Sequence, residues 1–492
     1  MRKFLSLLFC VLLLCTVFSG CGEADSGKVV VCFDIGNTDK TGYHLTVIDT
    51  FLGWLDNYRQ FHGLSISSED VEVVVIPGSE TELAERSAMM QRIRAEIMAG
   101  KGPDVFICST FSNSRAAGEE LTPMESGRLF PYVENTRESG IFLPLDGLLS
   151  DLTLTDAEDL IPQVLAGGKN QNGEQVILPL TFSVPGTAFS GEDTPDCDFE
   201  GSSWSDVLQG DDPVLREQAD WFLHYYSFNG ERVRVGDHAS GLFCLYPRTA
   251  DFENGELYFS EEELLAMVRD SLRGYRETVD FEMTRPCASL YFNPMSISKS
   301  VGDNAFFPEA DRSDSAGPAE MIPAGLTFVP LRNLEGGSTA VVNAYCAVNS
   351  NTKQKEKALA VIDLLLCRDF QKGSNHDTAD LFFHLGGMPI DRNLATGEHP
   401  YLTDMALSPE QYENWQRVCA DINVVRFPSA LDAELDAMMA EIQEVMLKAH
   451  DPDGKLYASE QWQFIYGSIG DGELAEIVSR SYQRMQRLLD ES

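Results

Sequence analysis

At 492 residues the chain exceeds one ordinary compact domain, and 43% hydrophobic with 10% aromatic residues is ample for more than one core. Its 37 basic against 77 acidic residues, a formal charge of −40, argue against a nucleic-acid partner, which needs a basic surface. An acidic exterior favours solubility and keeps a folded body off anionic lipid. In chain order the first element is a leader: Arg2 and Lys3 precede an apolar run from Phe4 to Phe18, closed by Ser19-Gly20-Cys21. The run falls short of the roughly 20 apolar residues a spanning helix needs, so it reads as a signal peptide. Removing residues 1–20 leaves 35 basic residues and a formal charge of −42.

KVVVCFD (28–34) reads as a buried strand, and His44 to Phe61 carries a helical stripe at 47, 48, 51, 52, 55 and 58. VEVVVIP (71–77) is a second strand. Ser79 to Glu82 forms a capping box before a helix whose inner face holds Leu83, Met90, Ile93 and Ile97. In MAGKGPDVFIC (98–108) the Gly-Lys pair follows a helix and precedes a strand, the reverse of a phosphate loop, so Gly100 is expected as a helix C-cap. Strand, helix, strand, helix, strand in about eighty residues predicts a parallel α/β sheet. Further on, Ser260 to Glu263 is a capping box and AGLTFVPL (324–331) a return crossing. Ala358, Leu359, Ile362, Leu365 and Leu366 mark a helix, and Met-rich stripes at 431–446 and 474–488 mark two core helices.

No catalytic set stands out. Ser296 and Lys299 form SxxK and Lys40-Thr41-Gly42 forms KTG, but in the reverse of the penicillin-binding order and with no SDN between them. HExxH, paired histidines four apart and GxSxG are missing, and the scattered cysteines show no CxxC, so no metal, cofactor or redox centre is expected. Cys32, Cys108 and Cys367 sit in apolar runs and read as small hydrophobes.

Ser19-Gly20-Cys21 resembles a lipobox, with Phe18 where Leu is usual; the resemblance implies a diacylated Cys21, a tether over 21–27 and an extracytoplasmic, membrane-anchored body. The helix ending in MAGKGPDVF, then FLPLDGLLSD (142–151), NGEQVILPLTFSVPGTAFS (172–190), SSWSDVL (202–208), VNAYCAVNSNTKQKEKALAVIDLLLCRDFQ (342–371) and GGMPIDRNLA (386–395) resemble, in order, the extracellular solute-binding protein family 1 of ABC importers. That resemblance implies an α/β chain of the two-lobed periplasmic-binding-protein type II fold with hinge crossovers near 178–185 and 322–331. Lobe one would hold 28–180 and 325–385, lobe two 181–324 and 386–492. It implies a monomer that captures a small ligand, a sugar or oligosaccharide by family default, and delivers it to a membrane permease without catalysis. A ligand sensor or scaffold of the same fold, or a surface carbohydrate-active enzyme, is the alternative.

Sugar recognition needs flat aromatics and fixed hydrogen-bonding groups, placed in α/β lobes at the carboxyl ends of strands. Asn37, Thr38 and Asp39 after strand one, Ser109, Thr110 and Phe111 after strand three, and Asn343 and Tyr345 after the late strand meet that condition; each also reads as a turn or capping residue. Phe182 in the expected crossover, and Trp204, Tyr291, Phe292 and Asn293 in the second lobe, complete the candidates. Trp221 and Tyr225 share a helical face and read as core.

Overall fold

The computed structural model describes residues 27–35, 43–77, 83–110, 127–189, 226–229, 232–235, 249–252, 254–277, 291–292, 327–330, 333, 335–372, 381–385, 387–395, 409–450 and 469–491. The fold is α/β, as expected. Strands β1 (Val29–Asp34), β2 (Val71–Val75) and β3 (Val105–Ser109) are parallel, with β1 in the middle: Val31 faces Val73 on one side and Val105 on the other. β1 and β3 bury on both faces because helices cover both, whereas β2, at the edge, is partly buried. α1 (Tyr43–Phe61) packs Val47, Phe51, Leu55 and Tyr58 against Val31, Phe33 and Ile107. On the other face, α2 (Leu83–Met98) sets Met90, Ile93 and Ile97 against Cys32, Phe106 and Cys108. Near-continuous apolar strands are the signature of such a doubly covered sheet.

The Gly-Lys pair does what its position predicts. Gly100 has φ +73°, its N–H donates to Ile97 O at 2.9 Å, and the Lys101 N–H donates back to Glu96 O at 2.9 Å. Left-handed glycine with these bonds closes a helix, and Pro103 prevents its restart. The capping box expected at 79–82 lies outside the described residues, whereas that at 260–263 is made: Ser260 N donates to Glu263 Oε2 at 2.7 Å and Glu263 N to Ser260 Oγ at 3.2 Å. These bonds hold the exposed Glu263 carboxyl below its ordinary pKa.

After the short helices α3 (Val133–Glu138), α4 (Asp146–Leu149) and α5 (Pro162–Ala166) comes the 13-residue β4 (Ile177–Phe189). Its first half pairs antiparallel with β11 (Ser338–Val348), which in turn pairs antiparallel with β3. Beyond Phe182 β4 changes partners: Val184 and Pro185 face β9 (Tyr291–Phe292), and Gly186 to Phe189 face β10 (Thr327–Pro330). β4 and β10 coincide with the expected outward and return crossings. Two hairpins, β5 (Tyr226–Asn229) with β6 (Arg232–Val235) and β7 (Ala250–Asp251) with β8 (Glu256–Leu257), lie between those crossings in sequence.

The expected boundary at 385/386 needs correction. β12 (Met388–Pro389) pairs with β4 at Phe182 and Thr181, and β13 (Ile422–Arg426) runs parallel to β11, so both belong to the main sheet. The physical reason is burial: Met388 and Ile390, like Ile422, join the same core as β1 and α1. Helices α7 (Lys355–Leu366), α8 (Arg368–Lys372) and α9 (Leu381–Leu385) cover that face, and α10 (Pro409–Ala420) leads into β13. The chain leaves the sheet again after Arg426 for α11 (Ala430–His450). α12 (Asp471–Glu491) packs on α11 and on α6 (Glu261–Glu277), burying Leu474, Ile477, Val478 and Met485 as its stripe predicts.

Described cysteines 32, 108, 346, 367 and 419 are buried free thiols. Burial pushes the pKa values of Cys32, Cys108, Cys346 and Cys419 up, away from reactivity.

Candidate functional site

The carboxyl ends of β1 and β3 meet the point where β4 and β11 bend, and a polar layer replaces the apolar core there. Asp34 ends β1. Its buried carboxylate accepts from Arg86 Nη2 at 2.6 Å and from Leu129 N at 2.7 Å. Arg86, on α2, also donates to Pro77 O at 2.7 Å and to Gly127 O. One ion pair therefore ties together the exits of β1 and β2 and the segment that returns after β3. Arg94, two turns along α2, donates to Leu129 O at 2.9 Å. Arginine suits this task because its planar fork serves several acceptors at once.

At the end of β3, Thr110 N donates to Asn343 O at 2.7 Å, and the Thr110 hydroxyl lies 3.0 Å from the same oxygen and also beside Val342 O. Ser109 Oγ is 3.4 Å from Asn343 O. β11 is irregular here, its register with β4 shifting on both sides of Ala344. The bulge sets Asn343 inward. With its amide oriented to satisfy both ends, Nδ2 donates to Val341 O at 3.0 Å, while Oδ1 accepts from Gly387 N at 3.2 Å and Ser183 Oγ at 2.8 Å. Gly387 is required: at φ +77°, an added Cβ would overlap the Asn343 amide and lie 2.8 Å from Phe182 O.

The structure thus brings Ser109, Thr110 and Asn343 together, with Phe182 one residue from Ser183. Their side chains are buried, and Phe182 faces the α1 side of the core. Tyr345 packs on the α2 side, its ring edge-on to Phe427 at 5.9 Å and its hydroxyl against Cys108; burial pushes its pKa up. Tyr345 is therefore a core residue: it lies within β11, between Cys108 of β3 and Pro179 of β4, and not after the strand as expected. Tyr291 and Phe292 form β9 beside Val184 and Pro185. Asn37, Thr38, Asp39, Phe111, Trp204, Asn293 and Cys21 lie outside the described residues.

Sequence reasoning missed Arg86 as Asp34's partner, and it missed a second buried pair. Arg426 Nη2 meets Asp432 Oδ1 and donates to Thr249 Oγ1 at 2.5 Å, while Ser429 N donates to Asp432 Oδ2 at 2.7 Å. Ala430 N donates to Pro131 O at 2.9 Å and Arg128 Nη1 to Pro428 O at 2.8 Å, so this third passage, 426–430, is fastened to the segment behind the rim. The signal available was an Arg ending an apolar strand six residues before an Asp in SxxD, the capping pattern of α11.

Among the described residues no group of three or more His, Cys, Asp or Glu is placed to hold a metal ion, and no helix is long and apolar enough to cross a membrane. No protein-family model and no curated protein sequence matches the chain. Solved structures do. The chain is similar to solute-binding proteins. Extracellular solute-binding protein family 1 from Alicyclobacillus acidocaldarius shares 12% identity at a TM-score of 0.46, over 94% of this chain and 100% of that one. The cyclic α-maltosyl-1,6-maltose binding protein of Arthrobacter globiformis shares 14% at 0.45 (94% and 99%). A periplasmic oligogalacturonide binding protein from Yersinia enterocolitica shares 13% at 0.43 (92% and 99%).

Proposed function

We propose that the chain is the solute-binding lipoprotein of an ABC importer, anchored at Cys21, that captures a sugar or oligosaccharide and delivers it to a membrane permease. The observation that carries this reading is β4: one strand pairs with the main sheet up to Phe182 and with β9 and β10 beyond it. A strand shared in this way makes a hinge, and β10 and 426–430 give two further passages. The polar layer of Asp34, Thr110, Ser183 and Asn343 stands where the β1 and β3 ends approach that hinge. Ligands in open α/β sheets bind outside the carboxyl ends of strands.

In this reading the buried polar layer does not itself bind ligand. It fixes the backbone from which 36–42 and 111–126 depart, and Asn37, Thr38, Asp39 and Phe111 in those segments make the contacts. Trp204 and Asn293 serve from the second lobe. Ligand touches both lobes only when they close, so it stabilises the closed arrangement by its differential affinity. The chemistry is hydrogen bonding and stacking, with no covalent step.

The test is a thermal-shift screen of the mature chain from Gly22 against mono- and oligosaccharides, polyols, amino acids and peptides. A ligand at about one hundred times its dissociation constant stabilises the native state by roughly 2.7 kcal/mol, a shift of a few degrees. A shift with a glycan that is recovered intact is the expected result. Silence across the sugars moves the ligand to another class, and cleavage of the glycan overturns the binder reading.

A further inference from the structure

The opposite edge of the sheet, where β1, β2 and β3 begin, differs in charge from the rest of the molecule. The chain has twelve lysines, and five of them, Lys28, Lys101, Lys353, Lys355 and Lys357, stand in segments that meet there. Hydrogen bonds join those segments into one surface. Asn349 Nδ2 donates to Lys101 O at 2.9 Å and to Pro103 O at 3.0 Å; Asp104 accepts from Val30 N at 2.8 Å and Thr352 Oγ1 at 2.5 Å. Lys357 Nζ donates to Gly27 O at 2.6 Å and Asp70 Oδ1 at 2.8 Å, and Arg59 reaches the same carboxylate at 3.2 Å.

Segments 27–30, 59–72, 100–104 and 349–357 together hold six basic and five acidic residues, whereas the rest of the chain holds 31 basic and 72 acidic. Two of the five acids, Asp70 and Asp104, are engaged in the bonds just named, and Lys28, Lys101, Lys353 and Lys355 are all exposed. Exposed apolar side chains mark the same edge. Of the three large hydrophobics exposed among the described residues, Phe61 (65%) ends α1 on one face of the sheet and Met98 (87%) ends α2 on the other, with the lysine-bearing turns between them.

We infer that this edge is a docking surface for anionic phospholipid headgroups, which seats the body on the leaflet with the ligand rim turned away. The inference rests on the anchor reading above for proximity alone: six residues from Cys21 to Gly27 span at most about 20 Å, so the tether cannot carry this edge far from the membrane. Lysines close to an anionic leaflet strengthen partition by roughly fivefold each, and apolar side chains among them enter the headgroup region. The strongly acidic remainder is repelled by the same leaflet, which gives the body one favoured orientation.

The test uses the unlipidated mature chain from Gly22, so that acylation plays no part. It is sedimented with vesicles of phosphatidylcholine alone or with one-third phosphatidylglycerol, at low and high ionic strength. Expected is binding to the anionic vesicles only, lost at high salt and weakened at least about tenfold by Lys101→Glu/Lys353→Glu/Lys355→Glu. The control Lys169→Glu/Lys372→Glu/Lys448→Glu has the same charge change elsewhere and retains binding. Phe61→Ser/Met98→Ser weakens it without altering its salt dependence, and carries the test if the edge triple variant does not melt with its parent. Equal partition into both vesicles, or equal loss in the edge and control variants, overturns the inference. The mass of the Cys21 peptide from the cell-derived protein decides the anchor separately: vesicle binding without acylation keeps the surface and sinks the anchor, and the converse sinks the surface.

Discussion

Asp34 and Arg86 are both about 3% exposed, and each oxygen of the carboxylate has a donor. Replacing Arg86 with Met strips Asp34 of its counter-charge and leaves Pro77 O and Gly127 O without that donor. Breaking a buried pair from one side costs about 3–5 kcal/mol. The expected result is a lower urea midpoint with an unchanged slope, and weaker ligand binding wherever the variant still folds, because three rim segments lose their common fastening. Asp70 makes a different case. The Lys357 ammonium, then Ser67, donate to its carboxylate and hold its pKa at about 2, below the ordinary 3.8. A depressed carboxyl pKa stabilises the fold above the unfolded value and loses that contribution as pH falls through the folded one, here between about pH 4 and 2. Melting Asp70→Asn beside the parent across that range should show a smaller acid decline in the variant, and a lower melting temperature near neutrality.

At the level of elements the pivotal contact is β12 against β4 and β11. Gly387→Ala forces a left-handed conformation on an L side chain and drives Cβ into Asn343 and the Phe182 carbonyl. Left-handed backbone alone costs about 1–2 kcal/mol, and the contact adds to it. A fall in melting temperature of several degrees is expected, whereas Gly173→Ala, at φ +81° in open space, should pay only the backbone share. Elements with a strong period are legible in the sequence: β1 and β3 are buried, and α1, α2, α11 and α12 bury Phe51, Leu55, Met90, Ile93, Leu435, Met438, Ile477 and Val478, all singled out by their spacing. Legibility failed where long-range pairing decides the outcome. Nothing local in GGMPID or INVVR says that these short strands add to a sheet begun hundreds of residues earlier, so the sequence alone places them with the second lobe. Asn343 and Tyr345 are expected after the late strand for a related reason, since nothing local says that β11 runs on to Val348. The polar layer is half legible: Thr110 follows from a strand end, but Asn343 lies within β11, and Arg86 lies on a helix whose sequence gives no hint of its partner.

For the molecule as a whole, three passages leave the main sheet, through β4, β10 and 426–430, and the last holds a buried charge pair. Asp432 receives Arg426, Thr249 and Ser429, tying the end of β13, the start of α11 and the segment before β7 into one knot. In the proposed binder a hinge moves around contacts that survive the motion, and a knot of this kind is the expected pivot. Compact chains of this size have a radius of gyration of about 23 Å, and an unclosed two-lobed form exceeds it. Solution scattering of the mature chain should therefore give a radius that falls toward about 23 Å as the ligand found by thermal shift is added. Asp432→Ala leaves the Arg426 guanidinium buried without its partner and should lower stability by about 3–5 kcal/mol. If the knot is a pivot, the folded variant still contracts with ligand, but from a larger unliganded radius and with weaker affinity. An unliganded radius equal to the parent's would place the motion elsewhere, at β4 and β10 alone.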